Sequence, residues 1–217
     1  MHAVHIPFWA VQRGLLMNHF PTIAARETAL LVVDMQNYFV HGETFPNPHA
    51  RDIIPNINRL VAAFREREGH IVWLRHGFTT QGASALPDWQ RVMPIVADAI
   101  ATLVPGSMAH AIVPECDVSD HDILVDKYRY GVFAQHSSDL HERLTSLGIT
   151  TLVITGTMTN GCCEASARGG NMLGYRVLAV ADAMATVTDE EHNASLLGMR
   201  IGTADIVSTD ELIGRLP

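Results

Sequence analysis

Thr151-Leu152-Val153-Ile154-Thr155-Gly156-Thr157-Met158-Thr159-Asn160-Gly161-Cys162-Cys163-Glu164 reads as a strand, a glycine-rich turn and the start of a helix. The run from 151 to 155 is mostly β-branched and continuously apolar apart from its threonines. It does not alternate with polar residues, which marks a strand covered on both faces, the habit of parallel sheets. Similar short runs recur at 29–34, 71–74, 123–125, 176–180 and 206–207. Between them lie helical periods at 55–68, 138–147, 161–173, 188–197 and 211–216. Pro55 suits a first helical turn, Ser137 or Ser138 a helix cap, and Thr188 with Glu191 a capping box. The stretch 76–121 is the least regular; Trp89, Val92, Ile95, Val96 and Ile100 fit one short helix there.

Strands alternating with amphipathic helices predict a parallel sheet with helices on both faces. Right-handed crossovers bring the C-terminal strand ends to one edge. That edge collects Asp34, Arg75, Lys127 and the loop after Thr155. No linker interrupts the pattern, so residues 29–217 form one domain. Residues 1–28 form an arm with Phe8, Trp9, Leu15, Leu16 and Phe20, expected to pack on its own domain or on a neighbouring subunit.

The bulk composition excludes several classes. With 47% apolar and 18% charged residues the chain of 217 is globular. A net charge of -8 without a basic stripe argues against nucleic acid. No apolar run reaches membrane-spanning length and no signal-peptide pattern opens the chain. Three cysteines, two adjacent, make no disulfide framework; a cytoplasmic enzyme with free thiols is the simplest reading.

A cysteine in a helix's first turn meets unsatisfied N–H groups and the positive dipole end, which favour a thiolate and can also hold an oxyanion. Cys162 and Cys163 both lie in that turn, and spacing does not separate them. Asp34 ends the first strand at the same edge, placed to act as general base and then acid. Lys127 is the only lysine among fifteen cationic residues. A compact ammonium between a carboxylate and a thiol would hold the former and favour ionisation of the latter. The twelve histidines show no metal-binding helix motif, and neither Gly-x-Gly-x-x-Gly nor Gly-x-Ser-x-Gly occurs. Adjacent cysteines without Cys-x-x-Cys also argue against thiol–disulfide exchange.

Three segments carry a resemblance: Asp34-Met35-Gln36-Asn37-Tyr38-Phe39; Lys127 with Tyr130-Gly131-Val132-Phe133; and 155–164. Gly174-Tyr175-Arg176-Val177, Ala181-Asp182-Ala183 and Glu191-His192-Asn193 extend it. Together they resemble the isochorismatase-like cysteine hydrolases over about 29–216. The resemblance implies a Rossmann-like, three-layer α/β/α sandwich on a six-stranded, mostly parallel sheet, assembled as a homodimer or homotetramer. It implies Asp34 as acid/base, Lys127 as electrostatic partner and Cys162 as nucleophile. It also implies a cis peptide between Thr157 and Met158, with the N–H groups of Met158 and Cys162 facing the oxyanion, and neither cofactor nor metal.

Members that open isochorismate replace the cysteine, which is present here. Nicotinamidases usually carry an Asp-x-His set and a further His after the second strand to hold a metal; here that segment reads Arg75-His76-Gly77-Phe78. The expected activity is cleavage of a small linear amide, carbamoyl or ureido compound through a thioester. Arg75, His76, Trp89, Tyr130 and Phe133 are the expected substrate-binding residues, Arg75 as partner of a substrate carboxylate. The alternatives are a nicotinamidase-like deamidase and a catalytically idle oligomeric binding protein.

Overall fold

A computed structural model describes every residue except 43 and 45. Six strands form one all-parallel sheet: β1 (Thr28–Val33), β2 (His70–His76), β3 (Ile123–Lys127), β4 (Thr151–Thr157), β5 (Arg176–Ala185) and β6 (Asp205–Val207). Their order is β3-β2-β1-β4-β5-β6. The chain first builds from β1 to one side, then crosses back to add β4 on the other. That reversal leaves a crevice between the C-terminal ends of β1 and β4, where open α/β sheets bind ligands.

The helices among the described residues are α1 (Phe8–Met17), α2 (Asn37–Val40), α3 (Ile54–Arg65), α4 (Asp88–Arg91), α5 (Pro94–Thr102), α6 (Leu140–Ser146), α7 (Glu164–Met172), α8 (Asp189–Arg200) and α9 (Thr209–Gly214). Strand periodicity sends alternate side chains to opposite faces. Leu30 and Val32 of β1 pack with Ile57, Leu60, Phe64 and Leu212 of α3 and α9. Ala29, Leu31 and Val33 pack with Leu140, Leu144, Ala167 and Leu196 of α6, α7 and α8. The expected three layers are therefore present, each face closed by its own core.

Several helix ends differ from their sequence reading for identifiable reasons. The helix expected across Trp89 to Ile100 is broken in two, because Pro94 opens α5 and cannot continue α4. Trp89, Val92 and Ile95 are then left exposed, while Val96 and Ala99 are buried. α6 begins at Leu140, whose N–H is accepted by Ser138 Oγ at 3.2 Å; Ser137 is buried nearby and caps nothing. α7 starts at Glu164 instead of Gly161, because Gly161 has φ -121° and ψ -105° and residues 159–163 form a wide turn. α8 does carry its capping box, with Thr188 and Glu191 making both reciprocal bonds.

Residues ahead of β1 lie along α8. Asp189 Oδ1 accepts from the Ala3 N–H and meets the buried His2 ring at 2.8 Å, while Asn193 Oδ1 accepts from His5 N–H. The other His2 nitrogen accepts the Thr186 N–H at 3.0 Å. Gly14 of α1 sits directly on the buried Arg200 side chain; a Cβ there would lie 2.3 Å from Nε. The outer face of α1 is open, with Phe8 75% and Leu16 90% exposed.

Candidate active site

Asp34 is the first residue after β1, and its backbone turns sharply there with φ +49°. Its N–H still donates to Leu74 O on β2 at 3.0 Å. Gln36 ties the same two strand ends together. Its amide N donates to the carbonyls of His76 and His110, and its Oε1 accepts the His76 N–H at 2.7 Å. Composition and spacing give no hint of this clamp, although Gln36 sits inside the segment that carries the family resemblance.

Lys127 ends β3, two strands away from β1, so its full side-chain length is needed to reach the crevice. Its Nζ lies 2.8 Å from Asp34 Oδ2, 3.0 Å from His76 Nδ1 and 3.2 Å from Arg129 O. An ammonium has three donors and no acceptor, and here three acceptors surround it. The pair is wholly internal, Lys127 0% and Asp34 1% exposed. Burial works against the charged amine, but Asp34 and Cys162 more than offset it and raise the lysine pKa. Burial also raises Asp34 above the usual carboxylate value, with Lys127 pulling it back. His76 is driven well below its ordinary value by burial and by the neighbouring ammonium, so it stands neutral with Nδ1 as acceptor.

Cys162 completes the cluster. Its Sγ, a carboxylate oxygen of Asp34 and a ring nitrogen of His76 all lie within 4.8 Å of one another. The structure separates the two cysteines that spacing left equivalent. Cys162 lines the main cavity, whereas Cys163 is fully buried with its thiol 3.7 Å from Thr155 O. The expectation of a depressed thiol pKa is corrected: burial pushes the Cys162 thiol up to about 12, outweighing the pull of Lys127, and the Asp34 charge adds to the rise. The resting form is thus a thiol beside a carboxylate that can take its proton.

The turn that presents Cys162 depends on close backbone approach. Gly156 has φ +101°, and a Cβ there would sit 2.1 Å from Val33 O. The Thr157–Met158 peptide is cis. The Cys163 N–H then closes a wide turn onto Met158 O at 3.1 Å. Thr159 is held by His192 Nδ1 at 2.9 Å, and Asn160 Oδ1 accepts from Thr186 Oγ1 at 2.7 Å.

A cavity of about 550 Å³ opens above Cys162. Of the expected substrate residues, His76, Trp89 and Tyr130 line it. Arg75 does not: its Nε donates to Asp126 Oδ1 at 2.7 Å, beside a separate depression along β3. Neighbouring strand residues face opposite ways, so the cavity that receives His76 cannot also receive Arg75. Phe133 is also outside, stacked on Tyr175 at 5.8 Å and packed over Gly169 and Gly170. Phe39, Phe78, Met93 and Leu103 supply walls that periodicity alone did not single out.

Among the described residues two groups of side chains have metal-ligand spacing, Asp34/His76/Cys162 and His2/His49/Asp189. In the first, the Lys127 ammonium already sits on Asp34 and on His76 Nδ1, and its charge opposes a cation. In the second, both His2 nitrogens are engaged, by Asp189 and by the Thr186 N–H.

The isochorismatase domain model matches residues 28–211, covering every strand and all of the cluster. The chain belongs to the isochorismatase family. Among similar proteins, an uncharacterised isochorismatase family protein, YwoC of Bacillus subtilis, is 36% identical over 171 residues, 79% of this chain and 84% of that protein. Nicotinamidase 3 of Arabidopsis thaliana is 30% identical, covering 85% of this chain and 86% of its own. The crystal structure of a cysteine hydrolase from Pseudomonas syringae superposes with a TM-score of 0.81 at 26% identity, covering 92% of this chain and 96% of that one. Among the described residues no helix is long and apolar enough to cross a membrane.

Proposed function

We propose that this isochorismatase family protein is a cysteine hydrolase that cleaves the C–N bond of a small linear amide, carbamoyl or ureido compound. The observation that carries this reading is the buried Asp34–Lys127 pair at 2.8 Å with the Cys162 thiol beside it at the cavity floor. Nicotinamidase 3 supports an amide as the bond cleaved.

In this mechanism Asp34 takes the thiol proton as Cys162 Sγ bonds to the substrate carbonyl carbon. The resulting oxyanion is held by the N–H groups of Met158 and Cys162. The intermediate collapses, the C–N bond breaks, and Asp34 returns its proton to the departing nitrogen. A thioester remains. Water takes the vacated place, gives a proton to Asp34 and adds to the same carbon. The C–S bond breaks, the proton returns to sulfur, and the acid leaves. Lys127 compensates the carboxylate while the proton is absent from it. His76, neutral and accepting from Lys127, fixes the ammonium's direction.

A nicotinamidase-like deamidation is the second reading, favoured by the aromatic walls Phe39, Phe78, Trp89 and Tyr130. Ammonia release from a panel of primary amides, ureides and nicotinamide is the test. Turnover should vanish in Cys162→Ala and persist in Cys163→Ala, and the acyl-enzyme should be visible by intact mass. No turnover on any member would leave an idle binding protein.

A further inference from the structure

The walls of the cavity select on charge. Phe39, Phe78, Trp89, Met93, Val96 and Leu103 make up much of its lining. The charged residues that line it are Asp34 and Glu191, both acidic, and among the described residues no lysine or arginine does so. The cations flanking the lining are already committed, Arg91 of α4 among them, paired with Asp88. Lys127 is wholly buried, ion-paired with Asp34 Oδ2 at 2.8 Å and hydrogen-bonded to His76 and Arg129 O. Arg75 is paired with Asp126, and Arg129 donates to the carbonyls of Ser84, Ala85 and Tyr128. An anionic substrate group entering here would shed its water against aromatic and aliphatic carbon with no cation to receive it. That desolvation is costly, and Glu191 adds repulsion.

Two-step hydrolysis also says which side of the amide the cavity must fit. The leaving amine and the incoming water use the same place in turn, while the acyl group stays attached to sulfur throughout. The part that fills the apolar space is therefore the acyl part. We propose that the substrate is an uncharged amide with an apolar acyl group, and that amides carrying a carboxylate on that group are rejected. This rests on the hydrolytic reading above only for the orientation of the substrate; the charge preference belongs to the cavity itself.

Calorimetric binding to the Cys162→Ala protein, which forms no thioester, tests the preference without turnover. The matched probes are 4-methylbenzamide and 4-carbamoylbenzoate, which differ by a methyl against a carboxylate. The neutral amide should bind at least tenfold tighter. Equal binding, tighter binding of the anion, or no binding of either at millimolar concentration overturns the proposal. In a second variant, Trp89→Arg, a guanidinium replaces a wall residue that is 66% exposed and leaves the core untouched. The gap between the probes should narrow at least fivefold, and an unchanged gap overturns the assignment of the wall. Ammonia release from 4-methylbenzamide by the unmodified protein is measured in parallel. Tight neutral binding without ammonia would sink the hydrolytic reading and leave the charge preference standing.

Discussion

Replacing Lys127 by methionine should destabilise the protein in a way that depends on pH. The substitution keeps most of the side chain's length but removes the ammonium 2.8 Å from Asp34 Oδ2. Breaking a buried pair by deleting one partner costs about 3–5 kcal/mol. Asp34 can escape by taking up a proton, which at pH 7 costs about 4 kcal/mol for a carboxyl whose unfolded pKa is near 3.9. The two limits agree, so a loss of about 4 kcal/mol at pH 7 is expected. The sign of the pH effect follows from the direction of the Asp34 shift. Burial raises its native pKa above the unfolded value, and without Lys127 it rises further. Between those two values the folded state holds a proton that the unfolded state releases, so stability falls as pH rises. The variant should therefore regain roughly 1.4 kcal/mol per pH unit on going from pH 7 towards pH 4. Urea unfolding followed by tryptophan fluorescence measures this, since Trp73 is buried in the core. Asp34→Asn combined with Lys127→Met should remove the added pH slope and recover part of the loss. A variant with the wild-type slope would refute the idea that Lys127 compensates an otherwise uncovered carboxylate.

With its thiol pushed up to about 12, Cys162 should react with iodoacetamide at a rate that climbs about tenfold per pH unit between pH 7 and 10. A plateau near neutrality, seen by intact mass in Cys163→Ala, would restore the thiolate expected from the helix position. Gly156→Ala should cost about 2 kcal/mol or more through its positive φ and the clash with Val33 O; equal denaturation midpoints for variant and wild type would contradict that. Asp205 lies 2.6 Å from both Arg200 and Arg215 while accepting from Phe20 N–H. Asp205→Asn should lower stability by about 3 kcal/mol while leaving the rate of Cys162 labelling unchanged.

The sheet was legible because its signal is redundant. Six short apolar runs separated by helical periods admit few arrangements once crossover handedness is fixed. The side-chain cluster was legible because Asp34 follows β1, Lys127 ends β3 and the cysteine turn follows β4, so topology alone gathers them at one edge. Side-chain direction at strand ends was not legible: His76 and Arg75 are adjacent, and only register decides that one faces the cavity and the other Asp126. Phe133 was misplaced for a related reason, since it follows a turn where neither period applies and Gly169 and Gly170 open a groove that accepts its ring. The thiol's protonation could not be read either. Helix position argues one way and burial the other, and burial is a property of the whole fold.

Lys127 is the chain's only lysine and is fully enclosed. The native protein thus offers no side-chain amine to the reagents that ordinarily decorate lysines. Succinimidyl esters, formaldehyde cross-linking and lysine-specific proteolysis all find their one lysine target only when the sheet edge around the C-terminal ends of β1, β2 and β3 opens. Cleavage after residue 127 would then yield pieces of 127 and 90 residues. The residue paired with Asp34 is at the same time a built-in reporter of the crevice's opening, readable on a gel without introducing any label.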